Sequence, residues 1–403
     1  MIDFVGFTSL VFVFIATFLI TLRWPKISII LFVAFLLRLF TLLTGHYLVD
    51  LPDSTADAVS LEIAASEISK EGLYNTLIQF NGPTPRFISW LIAIPYSLFG
   101  RSLLMAKSIS LMFGIGSVYL GWLIAKKFWN DSIANKVGWI LALFPSLILY
   151  SSLVLREVYI VFFLLIALYG IVDWTITNKF KSIIITMVGF SAATFFHGAM
   201  MVGAIVFLII VALSKIKIFF KTLINLKINP TNIIFLIMLI LVFELYFSNK
   251  INVPYLGDFA NSVDIENIFK KTHVATRGTA SWPEWTKISS NFEMLYKGPI
   301  RSIYIIFAPF PWDIKEIRHL FGMLDSFLYM SLTFFIISNI KNIWRDPVLR
   351  ILLIILLSYI FVFGIGVGNF GTGIRHRSKF VVIFIILAAP FLKQLIFKKN
   401  NKI

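Results

Sequence analysis

Asp57 stands behind the turn-forming run Asp50-Leu51-Pro52-Asp53-Ser54-Thr55 and at the head of Ala58-Val59-Ser60-Leu61-Glu62-Ile63, which reads as a helix. Ser54 or Thr55 is expected to cap that helix, and Val59, Ile63 and Ile68 to form an apolar stripe that lays it flat on a membrane surface. A carboxylate in a first helical turn is stabilised by the helix N-terminus and stays ionised, as a general base toward a hydroxyl must. Ordinary capping chemistry would place an acid there too. Asp53 and Glu157 are the other candidate catalytic carboxylates, although Asp53, like Asp50, also reads as a solvated loop acid. Near the other end, Gly368-Asn369-Phe370-Gly371-Thr372-Gly373-Ile374-Arg375-His376-Arg377 places three glycines before three cationic donors. Such a loop can turn tightly, point N–H groups inward and capture a phosphate or pyrophosphate. A basic cluster touching anionic lipid is the plainer alternative.

These residues sit in a chain that has little else polar. Of 403 residues 59% are hydrophobic and 14% charged, and the mean hydropathy is +0.88. A soluble domain would be about a quarter charged, so the composition excludes an ordinary cytosolic enzyme and describes a polytopic membrane protein. The formal net charge of +16 is a sidedness signal before it is a sign of nucleic-acid binding. With no Cys, disulfides, Cys-ligated zinc and thiol chemistry are ruled out. The stretch from Phe4 to Leu22 lacks a basic flank and a small-residue cleavage site, and reads as a retained helix.

Apolar runs at 4–22, 27–44, 103–125, 137–154, 158–175, 182–213, 232–247, 321–340, 351–367 and 380–397 predict about ten to twelve crossings. The run 182–213 exceeds one crossing and is expected to break into two helices at His197. The runs 86–99, with Pro95 inside, and 302–312, with Pro309 and Pro311, read as interfacial or re-entrant pieces at the outer face. Lysines fall in every second connection, at Lys126, Lys127, Lys136, Lys179, Lys181, Lys215, Lys217, Lys221, Lys227, Lys341, Lys398, Lys399 and Lys402, which the positive-inside rule places in the cytoplasm. Residues 45–85, 248–301 and 368–379 are then outer segments.

Arginine follows a different rule. Arg23, Arg345 and Arg350 lie in the inner connections and Arg38 lies inside a helix, whereas Arg86, Arg101, Arg156, Arg277, Arg301, Arg318, Arg375 and Arg377 fall outside or at the outer rim. A planar fork that grips phosphate bidentately is a good reason for positive charge on that side. Arg86, Arg156, Arg301, Arg318, Arg375, His376 and Arg377 are therefore the candidate phosphate ligands, with His197, Arg277 and Trp312 as candidate sugar contacts. Helix capping, local ion pairs (Arg156 with Glu157 among them) and a satisfied buried His197 are the structural alternatives.

An acidic outer loop, the turn Pro85-Arg86, the run SLFGRSLLMAKSISL (97–111), a short basic connection and ALFPSLILYSSLVLREVYIVFFLLIALYG (142–170) together resemble the GT-C fold glycosyltransferases over roughly residues 27 to 175. That group includes the protein mannosyltransferases and the lipid A aminoarabinose transferases, which use polyprenyl-phosphate sugars at the outer face. By this resemblance Asp57 is the catalytic base. Those families often carry two adjacent acids in the first loop, and here Asp57 is followed by Ala58. In the second half, Tyr296-Lys297-Gly298-Pro299-Ile300-Arg301, Phe307-Ala308-Pro309-Phe310-Pro311-Trp312, Ile317-Arg318-His319-Leu320 and the Gly368–Arg377 loop resemble membrane proteins of bacterial surface-polysaccharide clusters, including O-antigen polymerases.

The resemblance implies one integral membrane domain, an all-α GT-C-like bundle over 1–403. In it, an extra N-terminal helix (1–26) precedes a core at 27–247, an outer loop at 248–301 and C-terminal helices at 302–403. It implies a glycosyltransferase, or an O-antigen polymerase of lipopolysaccharide assembly, in the bacterial inner membrane with its site facing the periplasm. The donor would be an undecaprenyl-type polyprenyl-linked sugar or oligosaccharide. Partners would be membrane lipid and a chain-length regulator or another polysaccharide-assembly protein, and not nucleic acid. No cofactor is required by this chemistry, and a divalent metal stays open. The competing class is a transporter or flippase of lipid-linked oligosaccharide, which would show inverted repeats and ionisable residues at mid-bilayer. No P-loop or HExxH pattern occurs.

Overall fold

The computed structural model describes residues 3–80, 82, 86–224, 244, 280–314 and 316–392. The chain is an all-α, multi-pass membrane protein. Seven of its described helical spans are long and apolar enough to cross a bilayer: Phe4–Arg23, Pro25–Tyr47, Leu103–Phe128, Glu157–Thr177, Gly198–Ile216, His319–Ser338 and Pro347–Gly366. Three shorter apolar spans accompany them, at Phe87–Phe99, Phe180–Phe196 and Val381–Phe391. The apolar run 232–247 lies outside the described residues, apart from position 244.

In chain order the α-helices are α1 (Phe4–Arg23), α2 (Ser28–Tyr47), α3 (Asp57–Ser69), α4 (Gly72–Ile78), α5 (Phe87–Phe99), α6 (Leu103–Phe128), α7 (Asp131–Leu143), α8 (Pro145–Tyr150), α9 (Glu157–Thr177), α10 (Phe180–Phe196) and α11 (Met201–Ile224). They continue as α12 (Asn291–Phe307), α13 (Ile317–Ser338), α14 (Ile340–Arg345), α15 (Pro347–Gly366), α16 (Phe370–Ser378) and α17 (Val381–Ala388). One isolated antiparallel bridge, Ser281 to Asn369, ties the segment before α12 to the start of α16.

Salt bridges mark the two ends of the bundle. At one end Asp131 pairs with Lys26 at 2.5 Å and Lys126 at 3.5 Å, and the Lys126 ammonium lies over the Trp24 and Trp122 rings. Lys127 pairs with Asp173 beside Ser182 at the same end. At the opposite end Asp3 caps α1 through Gly6 N and accepts from Ser102, the residue that caps α6. The connections that carry Lys26, Lys126 and Lys127 thus share one end, and the first residues of α3, α6 and α9 share the other.

Two elements differ from expectation and a third agrees with it. The buried face of α3 carries Ala58, Leu61, Glu62, Ala65 and Ser66, whereas Val59 and Ile63 are exposed. No side chain caps α3, so Ser54 and Thr55 do not serve there. The run 302–312 is not a separate piece: Ser290 caps a helix that begins eleven residues earlier and carries 302–307 as its last turns. The long run 182–213 does break at His197, which stands in extended conformation between α10 and a single 3₁₀ turn before α11.

A buried guanidinium stands where each of three helices ends inside the protein. The last carbonyls of a helix have no intrahelical partner, and in a membrane no water reaches them. Arg38 donates to Leu141 O and Ala142 O at 2.9 Å each, closing α7 just before Pro145. Arg301 donates to Gly364 O and Ile365 O at 3.1 Å and to Val367 O, closing α15; it also donates to Thr286 O and lies over Trp282. Arg377 donates to Ile306 O at 2.8 Å and Ala308 O at 2.7 Å, closing α12, and pairs with the buried Asp325 at 2.9 Å.

Removing one member of a buried pair strands the other, at a cost of roughly 3–5 kcal/mol. Arg377→Ala should therefore lower the thermal midpoint of the detergent-solubilised protein sharply, and Arg377→Met with Asp325→Leu should recover part of the loss. A single variant as stable as the wild type would show that this pair does not hold α12, α13 and α16 together.

Candidate functional site

The turn before α3 is conformationally unusual. Asp53 (φ 61°) and Ala56 (φ 47°) are non-glycine residues in the left-handed region, which costs on the order of 1–3 kcal/mol each and persists only where the surroundings impose it. The imposed result is that two carboxylates four residues apart point to the same place. Tyr150, the last residue of α8, donates to Asp53 Oδ2 at 3.0 Å. Asp57, the first residue of α3, accepts from Arg375 Nη1 at 2.7 Å.

Arg375 arrives from 318 residues away because α16 is a true helix. The glycine-rich loop expected there is not found: Asn369 caps the helix by accepting from Thr372 N, and Gly371 and Gly373 lie within it without positive φ. The helical period then sorts the basic run. Arg375 and Lys379 are one turn apart and share a face, while Arg377 is about 200° round from Arg375 and turns into the core. Arg375 meets Glu157 Oε1 at 3.3 Å, and Lys379 Nζ lies 3.8 Å from the same oxygen. Glu157 opens α9, where the helix N-terminus favours a carboxylate.

Behind this pair Lys379 Nζ contacts His376 Nδ1 at 2.7 Å, and the His376 ring meets the His197 ring edge-on at 5.1 Å. Arg156, which precedes α9, donates from Nη1 to Phe196 O at 3.5 Å, next to His197. The cluster therefore gathers Asp53, Asp57, Glu157, Arg156, Arg375, Lys379, Tyr150, His197 and His376 at the end of the bundle away from the lysine-bearing connections. Glu157 also lines a cavity of about 10 Å³, room for a single water.

Burial and pairing set the charges. The Arg375 hydrogen bond holds the Asp57 carboxyl below its usual range, so it is ionised at neutral pH. Burial pushes the Asp53 carboxyl up against the opposing pull of Arg375. Burial also works against the charge on Arg375, yet Glu157, Asp57 and Asp53 hold its proton more tightly than usual. Burial, with Lys379 adding repulsion, keeps His376 and His197 neutral. It brings Lys379 down to about 7 even with Glu157 beside it, so this ammonium titrates in the physiological range.

The remaining sequence candidates lie elsewhere. Arg301 and Arg377 are fully buried helix closures, not open phosphate ligands: Arg301 gives four N–H groups to backbone carbonyls, and Arg377 gives all five to carbonyls, Asp325 and Ser326. Arg86 is exposed at the start of α5, and no contact joins its side chain to the cluster. Trp312 is 74% exposed and stacks on Phe310. Arg277 lies outside the described residues, as does the side chain of Arg318. Among the described residues no group of three or more His, Asp and Glu side chains is spaced to hold a metal ion.

Tyr150 and Lys379 were missed by sequence reasoning. Lys379 had a signal, since it lies one helical turn from Arg375 in the same basic run. Tyr150 had none, because its place follows from the break at Pro145.

The cluster can hold an anionic group beside an ionised carboxylate. Asp57, 60% exposed, is the acid that a solute meets first, while Glu157, 2% exposed, anchors the cations from beneath. If Arg375 and Glu157 act as one buried unit, a double-mutant cycle with Arg375→Ala and Glu157→Gln should give a coupling of roughly 1–3 kcal/mol in thermal unfolding. Additive losses would mean that the two are energetically separate.

No family model, curated protein or solved structure matches the chain, so its own geometry carries the functional reading.

Proposed function

We propose that this protein is a membrane glycosyltransferase of the bacterial inner membrane. It moves a sugar or oligosaccharide from a polyprenyl-(pyro)phosphate carrier onto a surface-polysaccharide acceptor at the periplasmic face, O-antigen polymerisation included. The observation that carries the reading is the convergence of Asp57, Asp53 and Glu157 with Arg375, Arg156 and Lys379 at the bundle end opposite the lysine connections. The shorter apolar helices, the broken pair α7–α8 and the segment outside the described residues would complete a bundle of ten to twelve crossings, with α3 and α5 at the outer face. A chain-length regulator or another polysaccharide-assembly protein is the expected partner.

In the proposed reaction the acceptor hydroxyl gives its proton to Asp57 as its oxygen attacks the anomeric carbon. The bond from that carbon to the carrier phosphate breaks, and the phosphate leaves with the electron pair. Cations fixed beside the departing oxygen stabilise the charge that develops there. The resting ion pair matters to this scheme. The Arg375 hydrogen bond lowers the basicity of Asp57, and an arriving phosphate competes for the same guanidinium. Exchange of partners puts Arg375 on the leaving group and restores the basicity of Asp57 in one event.

Asp57→Asn should lower turnover with purified lipid-linked donor by roughly 10²–10⁴-fold while the protein stays folded in the membrane. Wild-type turnover in that variant would remove Asp57 from the chemistry. Movement of the lipid-linked glycan across reconstituted vesicles, with no new glycosidic bond, would favour the flippase reading instead.

A pH signature follows from Lys379, which faces Glu157, His376, Arg375, Arg156 and His197. It is cationic below about 7 and neutral above. Support for phosphate charge is thus present at the lower pH and lost as pH rises through about 7, so transfer should decline across that range. Lys379→Arg keeps the charge at every working pH and should abolish the decline; an unchanged profile would assign the limb to another group.

A further inference from the structure

Arg38 closes α7 with two of its nitrogens and keeps the third apart. Nη1 and Nη2 donate to Ala142 O and Leu141 O, whereas Nε meets no acceptor among the described residues. Glu157 is divided in the same way. Its Oε1 faces Arg375 and Lys379, and no other described residue donates to Oε2. Both residues are 1% exposed, so bulk water does not reach either atom. Both also line the cavity of about 10 Å³. A buried donor on one charge and a buried acceptor on another are costly to leave unmatched, unless something in the space between them answers both. Gly114 lines the same cavity, and a Cβ there would lie 3.3 Å from Arg38 Nε, so its bare backbone keeps that nitrogen uncovered.

Size and charge together select the occupant. The volume is that of one water. A cation would face a guanidinium and an anion would face a carboxylate, while a water accepts from Nε–H and donates to Oε2. Its second O–H has acceptors too. Ser117 and Tyr150 line the same space, and their hydroxyl oxygens, which donate to Phe113 O and Asp53, keep lone pairs to accept with. We infer that this cavity is the binding site of a single trapped water that joins Arg38 Nε to Glu157 Oε2, and that Arg38 is thereby a positioning residue for the charged cluster. One guanidinium closes α7 and, through the water, holds Glu157 with its other oxygen toward Arg375. Arg375 in turn meets Asp57 at 2.7 Å, so the outermost carboxylate of the cluster is tied to a helix end in the core. This link goes beyond the reaction proposed above and holds for any ligand the cluster takes.

The test is solid-state NMR of the full-length protein in lipid bilayers, with isotope-labelled arginine and glutamate whose resonances are assigned through bonds to the backbone. Magnetisation should pass between a long-lived water and both Arg38 Nε–H and the Glu157 carboxyl carbon. Arg301 and Arg377 are the internal controls: their Nε donate to Gly364 O and Asp325, and they should show no such transfer. The water is then displaced by moving one methyl group. A Cβ at Gly114 would collide with Ser151 Cβ, and the Ser151 hydroxyl donates only to Leu147 O and Ile148 O, one turn back. Gly114→Ala with Ser151→Gly therefore sets a methyl beside Nε and leaves the bonds that close α7 in place. Both water signals should vanish. The coupling between Arg375 and Glu157 in thermal unfolding should fall with them, and because it is a double difference, a general loss of stability cancels from it. Absence of transfer to Arg38 Nε or to Glu157 in the wild type would overturn the inference, and so would transfer that survives the swap. An unchanged coupling once the water signals are gone would overturn the positioning role and leave Arg38 a helix closure alone. Neither measurement uses glycosyl transfer, so failure of the function proposed above would leave both results intact.

Discussion

A helix that stops inside an apolar protein leaves carbonyl groups with no partner, and in this chain guanidinium groups supply the missing donors. Arg38, Arg301 and Arg377 each lie fully buried at a helix C-terminus, giving N–H groups to carbonyls that neither water nor a following turn can reach. The cation also suits the negative end of the helix dipole. Arginine does this better than lysine because its planar fork offers several donors in fixed directions and keeps its charge when buried. The interrupted helices that shape the end of the bundle are therefore tolerable only because these three side chains close them.

That constraint shapes the site. Closing α12 with Arg377 anchors α16 against α13, and the helical turn then carries Arg375 and Lys379 to the opposite face, toward Glu157. Closing α7 with Arg38 permits the break at Pro145, and the short α8 beyond it delivers Tyr150 to Asp53. Structural and site arginines thus alternate along a single helix, two residues apart. The cluster they build sets three carboxylates against three cations, so at neutral pH it is nearly balanced in charge. An incoming phosphate must exchange with a carboxylate instead of filling an empty cationic hole.

Much was legible along the chain. Hydropathy marked the crossings, the length of the run 182–213 required the break found at His197, and the lysine pattern separated two ends that the Lys26–Asp131 and Asp3–Ser102 contacts place apart. Asp57 at the head of a helix was readable from the change of pattern after Pro52. The excess of arginine away from the lysines was readable too, but its cause was not single. Arg301 and Arg377 belong to helix closure, whereas Arg375 faces Asp57. The glycines before Arg375 suggested a loop, and the Asn369 cap with the contacts of segment 280–282 made a helix.

The sequence by itself determined that this is an all-helical membrane protein, which end of the bundle gathers lysine and which arginine, and that an acid heads the helix after the first long loop. Those properties depend on composition and on residues near one another in the chain. Only the tertiary structure decided which arginine closes a helix and which meets a carboxylate. Arg375 and Arg377 have the same chemistry and nearly the same address, and the difference between them is the rotation of α16 against α12 and α9, fixed by contacts between segments hundreds of residues apart.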